Sequence, residues 1–210
     1  MDNFDANELT SVSLDAAVPL PPERRSEMRR TTLLRVGKLV VGDDQRLCMI
    51  RNISSAGAML KVYQPLAVGD PVAVEVTPDC PVEARVIWTT EDLAGVAFAK
   101  SIDVIAALRG GRADGPYRRA ARTPRVRLTR PARLCTETAE CDVTLRDISP
   151  NGACVETGLK LANDAEVALF IPGLPTAPAR VRWCRDGRVG LEFDLPLPID
   201  RLADWIGSDA

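Results

Sequence analysis

Two short stretches hold the residues best suited to chemistry. Arg25-Ser-Glu-Met-Arg29 places two guanidinium forks four positions apart, with Arg24 beside them. Arg51-Asn-Ile-Ser-Ser-Ala-Gly57 places Asn52 and Ser54 ahead of Gly57. Both recur later as Arg118-Arg119-Ala-Ala-Arg122 and Arg146-Asp-Ile-Ser-Pro-Asn-Gly152, the latter with Asp147 and Ser149. Guanidinium groups pair with phosphate oxygens in a fork geometry and stack on planar bases. Arginine bidentate to O6 and N7 of guanine is the commonest specific base contact, worth about 1–3 kcal/mol of discrimination. Asn, Asp and Ser can satisfy the remaining edges of such a base. The combination suits an anion that carries guanine. Taken singly, each Asx-x-Ser-x-x-Gly copy also reads as a self-capped turn, because Asn, Asp and Ser side chains bond to backbone two residues on. Gly57 is then expected to supply a positive φ at the end of that turn.

Composition removes several other chemistries. The 210 residues contain no histidine, which excludes Ser-His-Asp and Cys-His arrangements and a histidine general base. Asp, Glu and Lys occur at no spacing that marks an active site, so an enzyme is not expected. The six cysteines, Cys48, Cys80, Cys135, Cys141, Cys154 and Cys184, form no CxxC pair, so they read as reduced, mostly buried thiols rather than zinc ligands. Neither a metal nor a cofactor is implied. The net charge of −2 gives no global basic field, and nucleic acid is not an expected partner. The N-terminus lacks the pattern of a signal peptide, and no apolar run could cross a bilayer, so a cytoplasmic protein is expected with no membrane partner.

The elements that must position these residues come from a duplication. Asn52 and Asp147 lie 95 positions apart, as do Gly57 and Gly152, Trp88 and Trp183, Gly95 and Gly190, and Phe98 and Phe193. A period this long means two whole domains. Within each half, apolar residues alternate with polar ones in short runs divided by turn signals such as Gly42-Asp-Asp, Gly69-Asp and Thr89-Thr-Glu-Asp. That pattern predicts strands near 33–41, 46–53, 57–62, 71–77, 82–88 and 93–99, then near 128–136, 140–148, 152–157, 165–171, 178–184 and 188–194. Six short antiparallel strands would expose two edges, and closure into a barrel removes both. The expected fold is all-β, two tandem six-stranded antiparallel barrels, each followed by a short helix near 102–108 and 198–207. The first barrel domain spans 23–109, a glycine-rich linker 110–117, and the second 118–207. Residues 1–22, with four acids and three prolines, are expected to be disordered.

Glu23–Arg30, the RNISSAG turn, ARVIW (84–88) and LAGVAFA (93–99) resemble a PilZ domain. RDISPNG, ARVRW (179–183) and RVGLEFD (188–194) resemble a second one. The resemblance implies six-stranded barrels that bind the second messenger cyclic di-GMP. It further implies that Arg25 and Arg29, assisted by Arg24, grip guanines and phosphates, while Asn52, Ser54 and Gly57 form the barrel side of the site. In the second module Asp147, Ser149 and Gly152 match by position, while Arg118, Arg119 and Arg122 supply the arginines from an RxxxR two positions upstream of register. The output of such a sensor passes to an unidentified downstream protein. Two alternatives stay open: a degenerate, non-ligand-binding interaction module, and a small barrel for single-stranded nucleic acid. The latter needs exposed aromatic platforms, whereas Trp88, Phe98, Trp183 and Phe193 read as core.

Overall fold

A computed structural model describes residues 32–109 and 123–208. The first half forms strands β1 (Thr32–Val41), β2 (Asp44–Ile53), β3 (Gly57–Val62), β4 (Pro71–Glu75), β5 (Pro81–Thr89) and β6 (Leu93–Phe98), then helix α1 (Val104–Arg109). The second repeats the plan with β7 (Val126–Cys135), β8 (Glu140–Ser149), β9 (Gly152–Glu156), β10 (Glu166–Phe170), β11 (Ala177–Arg185), β12 (Arg188–Phe193) and α2 (Ile199–Gly207). Each set closes into an antiparallel barrel, in the order β1-β2-β3-β6-β5-β4 and, equivalently, β7-β8-β9-β12-β11-β10. Every predicted strand and both helices are present. The proposed linker and residues 1–22 lie outside the described residues. No helix among the described residues is long and apolar enough to cross a membrane.

Alternation builds each interior. Leu39, Ile50, Leu60, Val74, Val86 and Val96 fill the first barrel, and Leu134, Leu145, Val155, Leu169, Val181 and Leu191 fill the second. Phe98 and Phe193 are buried as expected. The cysteines are not mostly buried: only Cys48 and Cys154 are, Cys80 is exposed, and the other three are intermediate. Cysteine 80 sits in a surface turn, where its size confers no packing advantage.

Each trailing helix is held at its C-terminus by a repeat-matched arginine. Arg35 Nη1 donates to the Leu108 carbonyl at 2.6 Å. Arg130 donates to the carbonyls of Trp205 at 2.8 Å and Ser208 at 2.6 Å, and its guanidinium lies 4.2 Å from the Trp205 ring centroid. A cation there satisfies orphan carbonyls and complements the helix dipole.

α2 also docks on the first barrel. Leu47 points out of its own barrel yet is only 1% exposed, because it joins the core of the second, with Val36 and Tyr63 packed against it. Gln64 donates to the Ala203 carbonyl at 2.8 Å, and Lys61 Nζ lies 3.3 Å from Asp200. The Tyr63 hydroxyl and then Lys61 hold the Asp200 carboxyl below its usual value. Leu47→Ala is therefore expected to cost about 2–5 kcal/mol, the range for a buried leucine. Urea unfolding measures it. A loss below about 0.5 kcal/mol, the level of a surface change, would mean that Leu47 anchors nothing.

Candidate functional site

Strand bulges create the outer surface around the motif. Ile50 pairs with Leu60 and Asn52 with Met59, so β2 carries an extra residue at Arg51. Inward Ile50 and inward Ile53 thus enclose two consecutive residues, Arg51 and Asn52, that both face outward. A bulge shifts the side-chain phase in this way. A second bulge lies between Val86 and Trp88 on β5, and a third between Thr32 and Arg35 on β1. All three recur in the second barrel, between Leu145 and Asp147, Val181 and Trp183, and Arg127 and Arg130. Such repetition marks a constructed feature rather than an irregularity.

The register then draws one row across the outside of the barrel. Asn52 pairs with Met59, Met59 with Gly95, and Gly95 with Trp88. The Trp88 indole lies against Gly95, where an added Cβ would come within 2.0 Å of Nε1. This corrects the reading of Trp88 as core. It is 37% exposed and lies on the outer wall, because the β5 bulge turns it outward and Gly95 leaves room for the ring. Trp183 covers Gly190 in the same way. The signal available in the sequence was the repeated Trp and Gly at one spacing.

The turn itself is self-bonded. The Ser54 amide donates to the Gly57 carbonyl at 2.8 Å, and Ser54 Oγ accepts from the Ala56 amide at 3.3 Å. Ser149 Oγ, buried, donates to the Gly152 carbonyl at 3.2 Å. The expectation of positive φ at Gly57 is wrong. Among the described residues the positive-φ glycines are Gly42, Gly69, Gly173 and Gly187. Gly57 is instead required by close approach, since a Cβ there would meet the Val96 carbonyl oxygen at 2.3 Å, and one at Gly152 would meet that of Leu191 at 2.2 Å.

Arg24, Arg25, Arg29, Arg118, Arg119 and Arg122 lie outside the described residues. Asn52, Ser54 and Gly57 are brought together at the first barrel, and Asp147, Ser149 and Gly152 at the second. One residue beyond these candidates belongs to the second site: Arg125, whose Nη1 lies 2.7 Å from Asp147 Oδ1. It is the repeat partner of Arg30, which was the available signal. Cys154, 4% exposed, takes the place of Met59, and burial, then the neighbouring Asp147 charge, push its thiol pKa up. No group of three or more metal-ligating side chains occurs among the described residues.

A family model for the PilZ domain matches residues 23–109 and again 117–206. The chain belongs to the PilZ domain family. No curated protein matches its sequence. Solved structures similar to this PilZ protein include the Borreliella burgdorferi PlzA protein in complex with c-di-GMP, at 12% identity over 84% of this chain and 88% of that one, TM-score 0.36. Others are the Bacillus subtilis inhibitor of motility MotI/DgrA, at 14% identity over 83% and 95%, TM-score 0.33, and YcgR from Escherichia coli in complex with c-di-GMP, at 13% over 81% of each chain, TM-score 0.33.

Proposed function

We propose that this PilZ protein is a cyclic di-GMP receptor, that its first barrel is the high-affinity site, and that occupancy is passed to a downstream protein. The observation that carries the reading is the outer row of the first barrel. Asn52 offers an amide for a base edge, and Trp88 at the far end of the row offers an exposed aromatic face. Base-on-aromatic stacking contributes about 1–3 kcal/mol per base. Arg25 and Arg29 precede β1 in the sequence, and β1 pairs with β2 at Thr32 and Asn52. The ligand-free alternative suits the second barrel better, where Asp147 is already taken by Arg125 at 2.7 Å.

Calorimetric titration with cyclic di-GMP and cyclic di-AMP tests the reading. Adenine lacks O6 and leaves arginine donors unpaired, a mismatch that polar sites penalise heavily. The guanine dinucleotide is expected to bind at least about a hundredfold more tightly, equivalent to about 2.8 kcal/mol. Equal affinities would sink the proposal.

A further inference from the structure

Positions 51 and 146 are both arginine and both stand outward at the β2 and β8 bulges, yet their surroundings differ. Arg146 is engaged: its guanidinium lies 2.7 Å from Glu156 and donates to Thr129 at 3.2 Å. The repeat partner of Glu156 is Lys61, and that of Thr129 is Leu34. The acid and hydroxyl that hold Arg146 are thus replaced in the first barrel by a cation and an exposed leucine. Lys61 is itself matched by Asp200 at 3.3 Å. Arg51 is exposed and has no ion pair or side-chain hydrogen bond among the described residues. An unpaired guanidinium therefore stands next to Asn52, on the face that carries the candidate row. A cation fixed beside a site, with no carboxylate to compete for it, attracts an anion at the least cost in displaced contacts.

We infer that Arg51 is a further ligand-contacting residue of the first barrel, taking a phosphate oxygen of the guanine dinucleotide whose base meets Asn52. This rests on the cyclic di-GMP reading above. Arg146, held by Glu156, makes no such contact, so only the first barrel has this extra grip.

The test titrates the full chain and its Arg51→Ala, Arg51→Lys and Arg146→Ala variants with cyclic di-GMP at low and at high salt. Arg51→Ala is expected to weaken binding about tenfold, the effect of one charge-assisted contact. Its affinity should also depend less steeply on salt, because screening acts on the lost charge. Arg51→Lys retains most of the affinity, Arg146→Ala leaves it unchanged, and all variants keep the parent melting temperature. Parental affinity and salt dependence in Arg51→Ala would overturn the inference alone. So would equal losses in Arg51→Ala and Arg146→Ala, or a loss accompanied by a lower melting temperature. Failure of the unaltered chain to bind would instead overturn the reading of the site, and this inference with it.

Discussion

Arg29→Ala is expected to weaken cyclic di-GMP binding a hundredfold or more, whereas Arg122→Ala leaves most of the high-affinity binding intact. A hydrogen bond to a charged group contributes about 1.5–3 kcal/mol, and a guanidinium that grips both a phosphate and a base makes at least two. Losing about 3 kcal/mol corresponds to more than a hundredfold in affinity. The asymmetry follows from the duplication. At the 95-residue offset Arg29 maps onto Pro124 and Arg25 onto Ala120. The Arg118–Arg122 pair therefore sits two positions upstream of register, about 7 Å in extended chain. The carboxylate those arginines would help to frame is already bonded to Arg125 at 2.7 Å. Arg29 and Arg122 both precede the barrel strands, so neither change should move the melting temperature by more than a surface substitution does. Calorimetry on the two variants decides the matter. A large loss in Arg122→Ala with little in Arg29→Ala would make the second barrel the sensor.

Gly57→Ala is expected to destabilise the first barrel by more than about 4 kcal/mol, at the far end of the range for single substitutions. The new methyl would stand 2.3 Å from the Val96 carbonyl oxygen. That oxygen is backbone, so relief requires β3 and β6 to separate and the ladder from Gly57–Ala97 to Lys61–Leu93 to shift. Gly152→Ala should behave alike against Leu191. Urea denaturation gives the size of the effect, and Gly57→Asn gives its cause. Asparagine tolerates the left-handed region, so it would be accepted were φ the constraint; under close approach it is as harmful as alanine. A mild Gly57→Ala variant would refute the steric account.

Most of the architecture was legible because one physical rule, alternation between a wet and a dry face, operates along every strand. The duplication doubled that signal. Three features escaped it for reasons tied to particular residues. The bulges were missed because strict alternation assumes one phase per strand, although Ile50 and Ile53, three apart, already imply a slip between them. Trp88 reads as core from its repeat-matched place on a strand, and that place alone does not show that Gly95 forms the floor of an outer seat for the ring. Docking of α2 was missed because Leu47 and Cys48 are adjacent and both apolar, which blurs the period. Cys48 faces its own barrel and Leu47 faces its neighbour's helix. At the site, the polar members of both motifs were readable from type and spacing. The pairing of Asp147 with Arg125 was not, since it joins residues 22 positions apart.

The docking of α2 has a consequence for growth of the assembly. A contact in which one module's tail fits a socket on the module before it is heterologous, and such contacts propagate into open filaments unless something stops them. In the second barrel the positions equivalent to Val36, Leu47, Lys61 and Tyr63 are Pro131, Asp142, Glu156 and Gly158. They line a shallow, open groove in which Asp142 is ion-paired with Arg133 and Glu156 with Arg146. A tail approaching that groove would bury carboxylates where the first barrel offers Leu47 and Lys61, would meet glycine where it offers Tyr63, and would lose both ion pairs. The second barrel thus lacks the socket that α2 fills on the first, as the capping units of repeat proteins lack a face for further stacking. The docking face that receives α2 is present once in the pair of barrels, on the first and not on the second.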